Sequence, residues 1–321
     1  MSESAVSAAE IVVRAPAKVN LLIRVLDRLS NGYHELWSLM HTVDLFDRLR
    51  IRVNPDREGL SLVCGDAPLP VDKGNLVYRA ADLVLQRGGK VVGVEIELTK
   101  IIPLSAGLGG GSSDAAATLY GLAHLLHLDW TLAEFCEAGA ALGSDIPFFF
   151  RAPCSVVRGW GQEVTPCSLK GDRWVVLVNP GFPIQTKWAY EQLSSQRSAV
   201  LPLGEFPKRV DRQLNLSWEE VVETMENDFE APLFPFYPIL GFIKEKLLSL
   251  GAQAALLSGS GATVFGIFDT QEGARKAATR LRTDTNWRVF DVPTGSTDLP
   301  HDPFPLDPSS PGSRPESKNL S

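Results

Sequence analysis

The chain has 321 residues, 44% of them hydrophobic, enough to bury a sizeable core and to suggest two domains. Its formal net charge of −7, with no offsetting basic block, gives no general attraction to nucleic acid or to an anionic membrane, so a small-molecule partner is expected. Cys64, Cys136, Cys154 and Cys167 form no CxxC pair or metal-ligand spacing, which excludes a disulfide framework or zinc site and fits a reducing cytoplasm.

The N-terminal MSESAVSAAE has no apolar core, and no run of about 18 apolar residues follows, so neither export nor membrane insertion is expected. Residues 11–28 alternate apolar and polar types around Pro16 and read as strand, kink, strand; a further strand is predicted at 43–53. Leu76, Ala80, Leu83 and Val84 share one helical face, with Asn75 as N-cap and Gly88 and Gly89 as terminators. A strand at 91–100 leads into a glycine-rich loop and a helix over 112–127. Thr131 and Glu134 then open a second helix as a capping box, which Gly143 ends.

Beyond residue 153, strands are predicted at 154–158 and 174–179, with a short helix opened by Thr186 and a capping box at Ser217 and Glu220. A helix over 238–250, strands at 253–257 and 262–268, a helix at 271–282 and a strand at 287–292 complete an α+β pattern. The expected division is an N-terminal tail at 1–10, a domain over 11–168, a second over 169–294, and a disordered tail at 295–321 with six prolines and six serines.

The strongest chemical signal is PLSAGLGGGSSDAA at 103–116, between a strand and a helix. Gly107, Gly109, Gly110 and Gly111 let the backbone bend and aim its N–H groups at an anion, and Ser112 and Ser113 fall at a helix N-terminus, where the dipole favours phosphate. The loop lacks the GxxxxGK[ST] spacing and fits the dinucleotide fingerprint poorly. A carboxylate repels triphosphate, so Asp114 is read as satisfying helix-end N–H groups. Magnesium is expected to meet the phosphates and the Ser112 or Ser113 hydroxyl.

In GSDIPFFF, 143–150, Asp145 stands between a helix terminator and an apolar strand, where it can accept or orient a hydroxyl proton, or merely close a turn. Lys18, on an otherwise apolar strand, reads as a snorkelling lysine or as the partner that keeps such an aspartate ionised. SGSGATVF, 258–265, is a small-residue turn that approaches the phosphates or simply joins two strands.

APAKVNLLIRV, PLSAGLGGGSSDAA and SGSGATVF, in this order and spacing, resemble the three signature motifs of the GHMP kinases, over roughly residues 11–293. The resemblance implies a two-domain GHMP kinase fold, with a ribosomal-protein-S5-like N-terminal domain, a ferredoxin-like C-terminal domain and ATP with Mg2+ in the cleft between them. It carries over Lys18 and Asp145 as the catalytic pair. For ATP it implies Pro103, Leu104, Ser105, Ala106, Gly107, Leu108, Gly109, Gly110, Gly111, Ser112 and Ser113. NGYHEL, GSDIPFFF and NPGFPIQTKWAY further resemble the branch acting on a cytidine-diphosphate sugar alcohol of the non-mevalonate isoprenoid route, with Asn20, Tyr33, His34 and Tyr190 as substrate positions. The tyrosines would offer aromatic faces to cytosine and His34 a hydrogen bond to its edge.

This chain departs from the family pattern at Asn31, at Ser105 and Ala106, which are expected to change loop flexibility, and at Trp188, expected to reshape the cytidine pocket. A monomer or weak homodimer is expected. The rivals are a homoserine- or mevalonate-type kinase and a nucleotide-binding regulator without catalysis; a Rossmann dehydrogenase would want a strand-end acid where Glu134 lies in a predicted helix.

Overall fold

The computed structural model describes residues 9–28, 34–65, 67–197 and 202–295. Strands β1 (Ala9–Arg28) and β2 (His34–Asn54) form a long antiparallel pair. The expected kink at Pro16 is a bulge: the register slips between Pro16 and Ala17 and again between Asn20 and Leu22, and the strand continues. Proline has no N–H to give a ladder, so it sits where a bond is skipped.

Strand β3 (Gly59–Val63) precedes helix α1 (Leu76–Gly88), where the Asn75 side chain accepts the Val77 N–H and Gly89 closes the helix in the left-handed conformation. Strand β4 (Gly93–Thr99) buries Val94, Ile96 and Leu98 while Glu95, Glu97 and Thr99 face out. Helix α2 (Gly110–Leu125) starts two residues before the predicted Ser112, with Gly109 as N-cap. Helix α3 (Leu132–Leu142) carries the predicted Thr131–Glu134 capping box. The apolar run after Asp145 is not a strand but one helical turn, α4 (Ile146–Phe149), with Pro147 in its first turn.

Strands β5 (Cys154–Gly159) and β6 (Glu163–Pro166) form a hairpin, followed by β7 (Ser168–Lys170) and β8 (Trp174–Asn179). Then come α5 (Thr186–Gln196), α6 (Glu205–Val210), β9 (Asn215–Ser217), α7 (Trp218–Thr224), β10 (Glu226–Asn227) and α8 (Glu230–Leu233). Helix α9 (Pro238–Ser249), strands β11 (Ala254–Leu257) and β12 (Val264–Phe268), helix α10 (Gln271–Asp284) and strand β13 (Arg288–Pro293) complete the chain.

The larger sheet runs β10-β1-β2-β4-β3, with β5 on β2 and β6 on β5; a second runs β11-β12-β8-β13; β7 and β9 pair alone. The larger sheet takes β10 from the C-terminal half, parallel to β1 at Leu22 and Ile23. One core lies between α1, α2 and the larger sheet, with Ala116, Leu119 and Leu122 against Val13, Leu49 and Ile51. A second gathers α5, α9 and α10 on the smaller sheet, and a third, around Trp37, Trp218 and Phe265, joins the two. Each fully buried Leu, Val or Phe contributes about 1.5–3 kcal/mol, so these layers hold the loops between them in place. Among the described residues no helix is long and apolar enough to cross a membrane. Residues 1–8 and 296–321, including nearly all of the expected tails, lie outside the described residues.

Candidate active site

A cleft of about 1250 Å³ opens where the β4–α2 loop, the middle of β1, the first half of β2, the turn before α4, helix α5 and the β11–β12 turn meet. Lys18 reaches its wall from β1 with 4% exposure, its Nζ donating to Asn20 Oδ1 at 2.7 Å and standing 3.7 Å from Asp145 Oδ2. Asn20 Nδ2 donates to Ser38 Oγ at 2.8 Å, and Ser38 Oγ donates to the Leu22 carbonyl at 2.7 Å. The lysine head is thereby held by a relay of buried polar groups. Burial lowers the Lys18 pKa, and the Asp145 charge works in the other direction. Asp145 is the N-cap of α4 and makes no side-chain cap bond, which leaves its carboxylate directed to the cleft, with 38% of the side chain exposed.

The glycine loop wraps this pair. Gly107 has φ 78°, and a Cβ there would lie 2.0 Å from the Ser258 carbonyl oxygen; Gly109 has φ 68°, and a Cβ would lie 2.9 Å from Lys18 Cγ. Only glycine fits both the backbone angle and the approach. Ser105 is also left-handed, at φ 49°, while the buried Ala106 accepts the Thr263 N–H at 3.2 Å, so this limb of the loop is fastened to the β11–β12 turn. Gly110, Gly111 and Ser112 form the first turn of α2 and face the cleft, where free N–H groups and the helix dipole attract an anion. Ser113 is turned into the core, 0% exposed, and its Oγ has no hydrogen-bond partner. Of the two serines expected to meet magnesium, Ser112 is the one that faces the cleft.

Asp114 does not cap the helix. It is buried and accepts a 2.7 Å ion-pair hydrogen bond from Lys100, which also pairs with the fully buried Asp47. Burial raises the Asp114 pKa, and the Lys100 charge pulls it back down. Asp47 accepts the Ile101 and Ile102 N–H groups at 2.6 and 2.9 Å, so the charges tie the two ends of the loop together. Sequence reading missed Lys100 and Asp47, which look like ordinary strand charges until the fold brings them beneath the loop.

At the other end of the cleft, His34 and Tyr190 stack on each other, centroids 4.8 Å apart and planes 17° apart, and His34 Nε2 lies 3.1 Å from Ser194 Oγ. The His34 face lies on Tyr190, while the ring nitrogens that would meet a base edge lie in the ring plane. Phe229 packs perpendicular to Tyr190 at 4.9 Å. Burial, with the Asp145 charge, pushes the Tyr190 hydroxyl up, so it stays a neutral donor. Trp188 does not reshape this pocket: it faces away from the cleft and packs edge-on against Phe236 and Tyr237. Tyr33 and Asn31 lie outside the described residues.

A glycine loop leading into a helix N-terminus, with a lysine–aspartate pair beside it, suits a small-molecule kinase. Residues 75–152 match the GHMP kinases N terminal domain and residues 207–285 the GHMP kinases C terminal domain. The chain belongs to the GHMP kinase family.

Within it, the chain is 40% identical over 280 residues to 4-diphosphocytidyl-2-C-methyl-D-erythritol kinase of Geobacter sp. (strain M21), covering 87% of this chain and 97% of that protein. It is 40% identical to the protein of the same name from Syntrophus aciditrophicus (strain SB), over 87% of this chain and 98% of that one. A crystal structure of 4-(cytidine 5'-diphospho)-2C-methyl-D-erythritol kinase superposes with a TM-score of 0.73 at 34% identity, covering 89% of this chain and all of that one. Homoserine kinase from Cytophaga hutchinsonii shares the fold, with a TM-score of 0.72 at 21% identity over 96% of this chain and 99% of that one.

Proposed function

We propose that this chain is an ATP-dependent kinase that phosphorylates the 2-hydroxyl of 4-diphosphocytidyl-2-C-methyl-D-erythritol, in the non-mevalonate route to isoprenoid precursors. The observation that carries the reaction class is the Lys18–Asp145 pair, 3.7 Å apart, beside the glycine N-terminus of α2. The acceptor rests on the relatives and on the aromatic end of the cleft.

The acceptor hydroxyl gives its proton to Asp145 as its oxygen attacks the γ-phosphorus of ATP, and ADP leaves with the electrons of the broken bond. Lys18, steered by Asn20, stabilises charge on the transferred group. The N–H groups of the first turn of α2 hold the phosphates, and the glycine loop encloses them. Magnesium, when bound, neutralises triphosphate charge; phosphate oxygens with the Ser112 hydroxyl suit its preference for few protein ligands, and no cluster of three acidic, His or Cys ligands exists among the described residues. His34 and Tyr190 receive the cytidine end. The protein works on a small molecule in the cytoplasm, as a monomer or weak homodimer, and not on nucleic acid.

A coupled ADP-release assay across the cytidine-diphosphate acceptor, homoserine and mevalonate tests the reading. Turnover is expected with the first alone; turnover with homoserine or mevalonate in its place overturns it.

A further inference from the structure

The segment ENDFE at 226–230 leads from α7 into α8 and places Phe229 on the cleft wall. Asn227 is 7% exposed, and its Nδ2 donates to the carbonyls of Leu257 at 2.7 Å and Gly259 at 2.8 Å, while its Oδ1 accepts the Phe229 N–H at 2.8 Å. Both side-chain donors are therefore spent on the β11–β12 turn. At Gly259 a Cβ would lie 3.4 Å from Lys18 Nζ, from Asn20 Oδ1 and from the Gly107 carbonyl oxygen. The turn that Asn227 holds is thus the backing of the lysine and of the phosphate loop.

Asp228 serves the opposite wall. Its Oδ2 accepts the Val25 N–H at 2.7 Å and pairs with Arg197 Nη2 at 2.5 Å, and its Oδ1 lies 3.3 Å from Arg24 Nε. Arg197 is the C-cap of α5 and also donates to the Val25 carbonyl, so the carboxylate clamps the end of that helix to β1. Helix α5 carries Tyr190, and Phe229, next in sequence to Asp228, is the ring against which Tyr190 rests. A buried ion cluster gains little stability over an apolar replacement of equal volume, so its use here is to fix one geometry.

We propose that Asn227 and Asp228 are positioning residues for opposite halves of the reaction, Asn227 for the Lys18 and phosphate side through Gly259, Asp228 for the acceptor side through Arg197 and α5. The inference rests on the kinase reading. Displacing reacting groups by about 1 Å costs on the order of 100-fold in rate, whereas loosening a binding wall acts on KM. Asn227→Ala is expected to lower kcat roughly 10- to 100-fold with the acceptor KM within about twofold. Asp228→Asn, which keeps the shape and loses the charge, is expected to raise the acceptor KM roughly tenfold with kcat within about threefold.

Steady-state kinetics with both substrates varied, beside urea unfolding midpoints, provide the test. Asn227→Ser and Arg197→Gln report on the same two arms if the first variants do not fold. Wild-type turnover is measured first: its absence with the cytidine-diphosphate acceptor overturns the substrate reading, and the split is then read with whichever acceptor is turned over. Normal wild-type turnover with both arms shifting kcat and KM alike, or all four variants losing only stability, overturns the positioning roles.

Discussion

Lys18 suits the role proposed for it because it is both buried and paired. With 4% exposure and the Asp145 carboxylate at 3.7 Å, its charge is stabilised by one neighbour and aimed by another, Asn20. Asp145→Asn keeps the shape and removes the proposed base, so single-turnover rates should fall by roughly two to four orders of magnitude while ATP and acceptor still bind. Lys18→Met should fall comparably, and the double variant should be little worse than the worse single one; strictly additive losses would show that the residues act independently. Tyr190→Ala should weaken acceptor binding by roughly 1–3 kcal/mol with ATP affinity unchanged, a split that calorimetry resolves. Lys18 and Asp145 stand out in the sequence because each interrupts a run of small or apolar residues. The Asp47–Lys100–Asp114 set does not, because its members lie 53 and 14 residues apart and meet only through the sheet.

At the scale of the element, the β4–α2 loop explains why four glycines cluster. Gly109→Val puts a branched side chain where a Cβ would already lie 2.9 Å from Lys18 Cγ and 3.1 Å from the Phe149 ring, at a positive φ. ATP binding should be lost by calorimetry while far-ultraviolet circular dichroism stays native; unchanged ATP affinity would remove the loop from the phosphate site. The loop was legible from glycine spacing between a strand and a helix. The start of α2 was not, because Gly110 and Gly111 are poor helix formers, so propensity places the start at the serines that follow. The α4 turn was misread as a strand because a short apolar run such as IPFFF has no period of its own, and Pro147 in its first turn suits a helix start.

Across the whole molecule, the two larger sheets share a core, β10 from the C-terminal half joins the larger of them, and the cleft lies among the loops between them. A two-residue strand that crosses from the C-terminal half leaves no periodic signal, so the coupling through 226–230 was invisible in the sequence. Stability carries its own signature in His41, buried with Nδ1 2.7 Å from the Thr42 carbonyl, where burial lowers the pKa from 6.5 to about 4. A depressed native pKa means the unfolded chain takes up the proton first. The neutral imidazole therefore stabilises the fold above pH 6.5, and that contribution, on the order of 3 kcal/mol, is lost as pH falls towards 4. Asp44, pushed up to about 6 by burial, changes with the opposite sign as pH rises from 3.8. Because Asp44 gains stability over nearly the same range as pH falls, the His41 share shows as a difference: His41→Asn should become steadily more stable relative to wild type in urea unfolding from pH 6.5 to 4, and a constant difference would remove His41 from the acid response.

Transfer of one phosphoryl group to one hydroxyl is read directly by phosphorus NMR of the product of wild-type protein, MgATP and 4-diphosphocytidyl-2-C-methyl-D-erythritol. One new phosphomonoester on the 2-oxygen is expected, formed in step with ADP, with the acceptor's diphosphate resonances retained. ADP released with free phosphate alone, or a monoester on another hydroxyl, would contradict it.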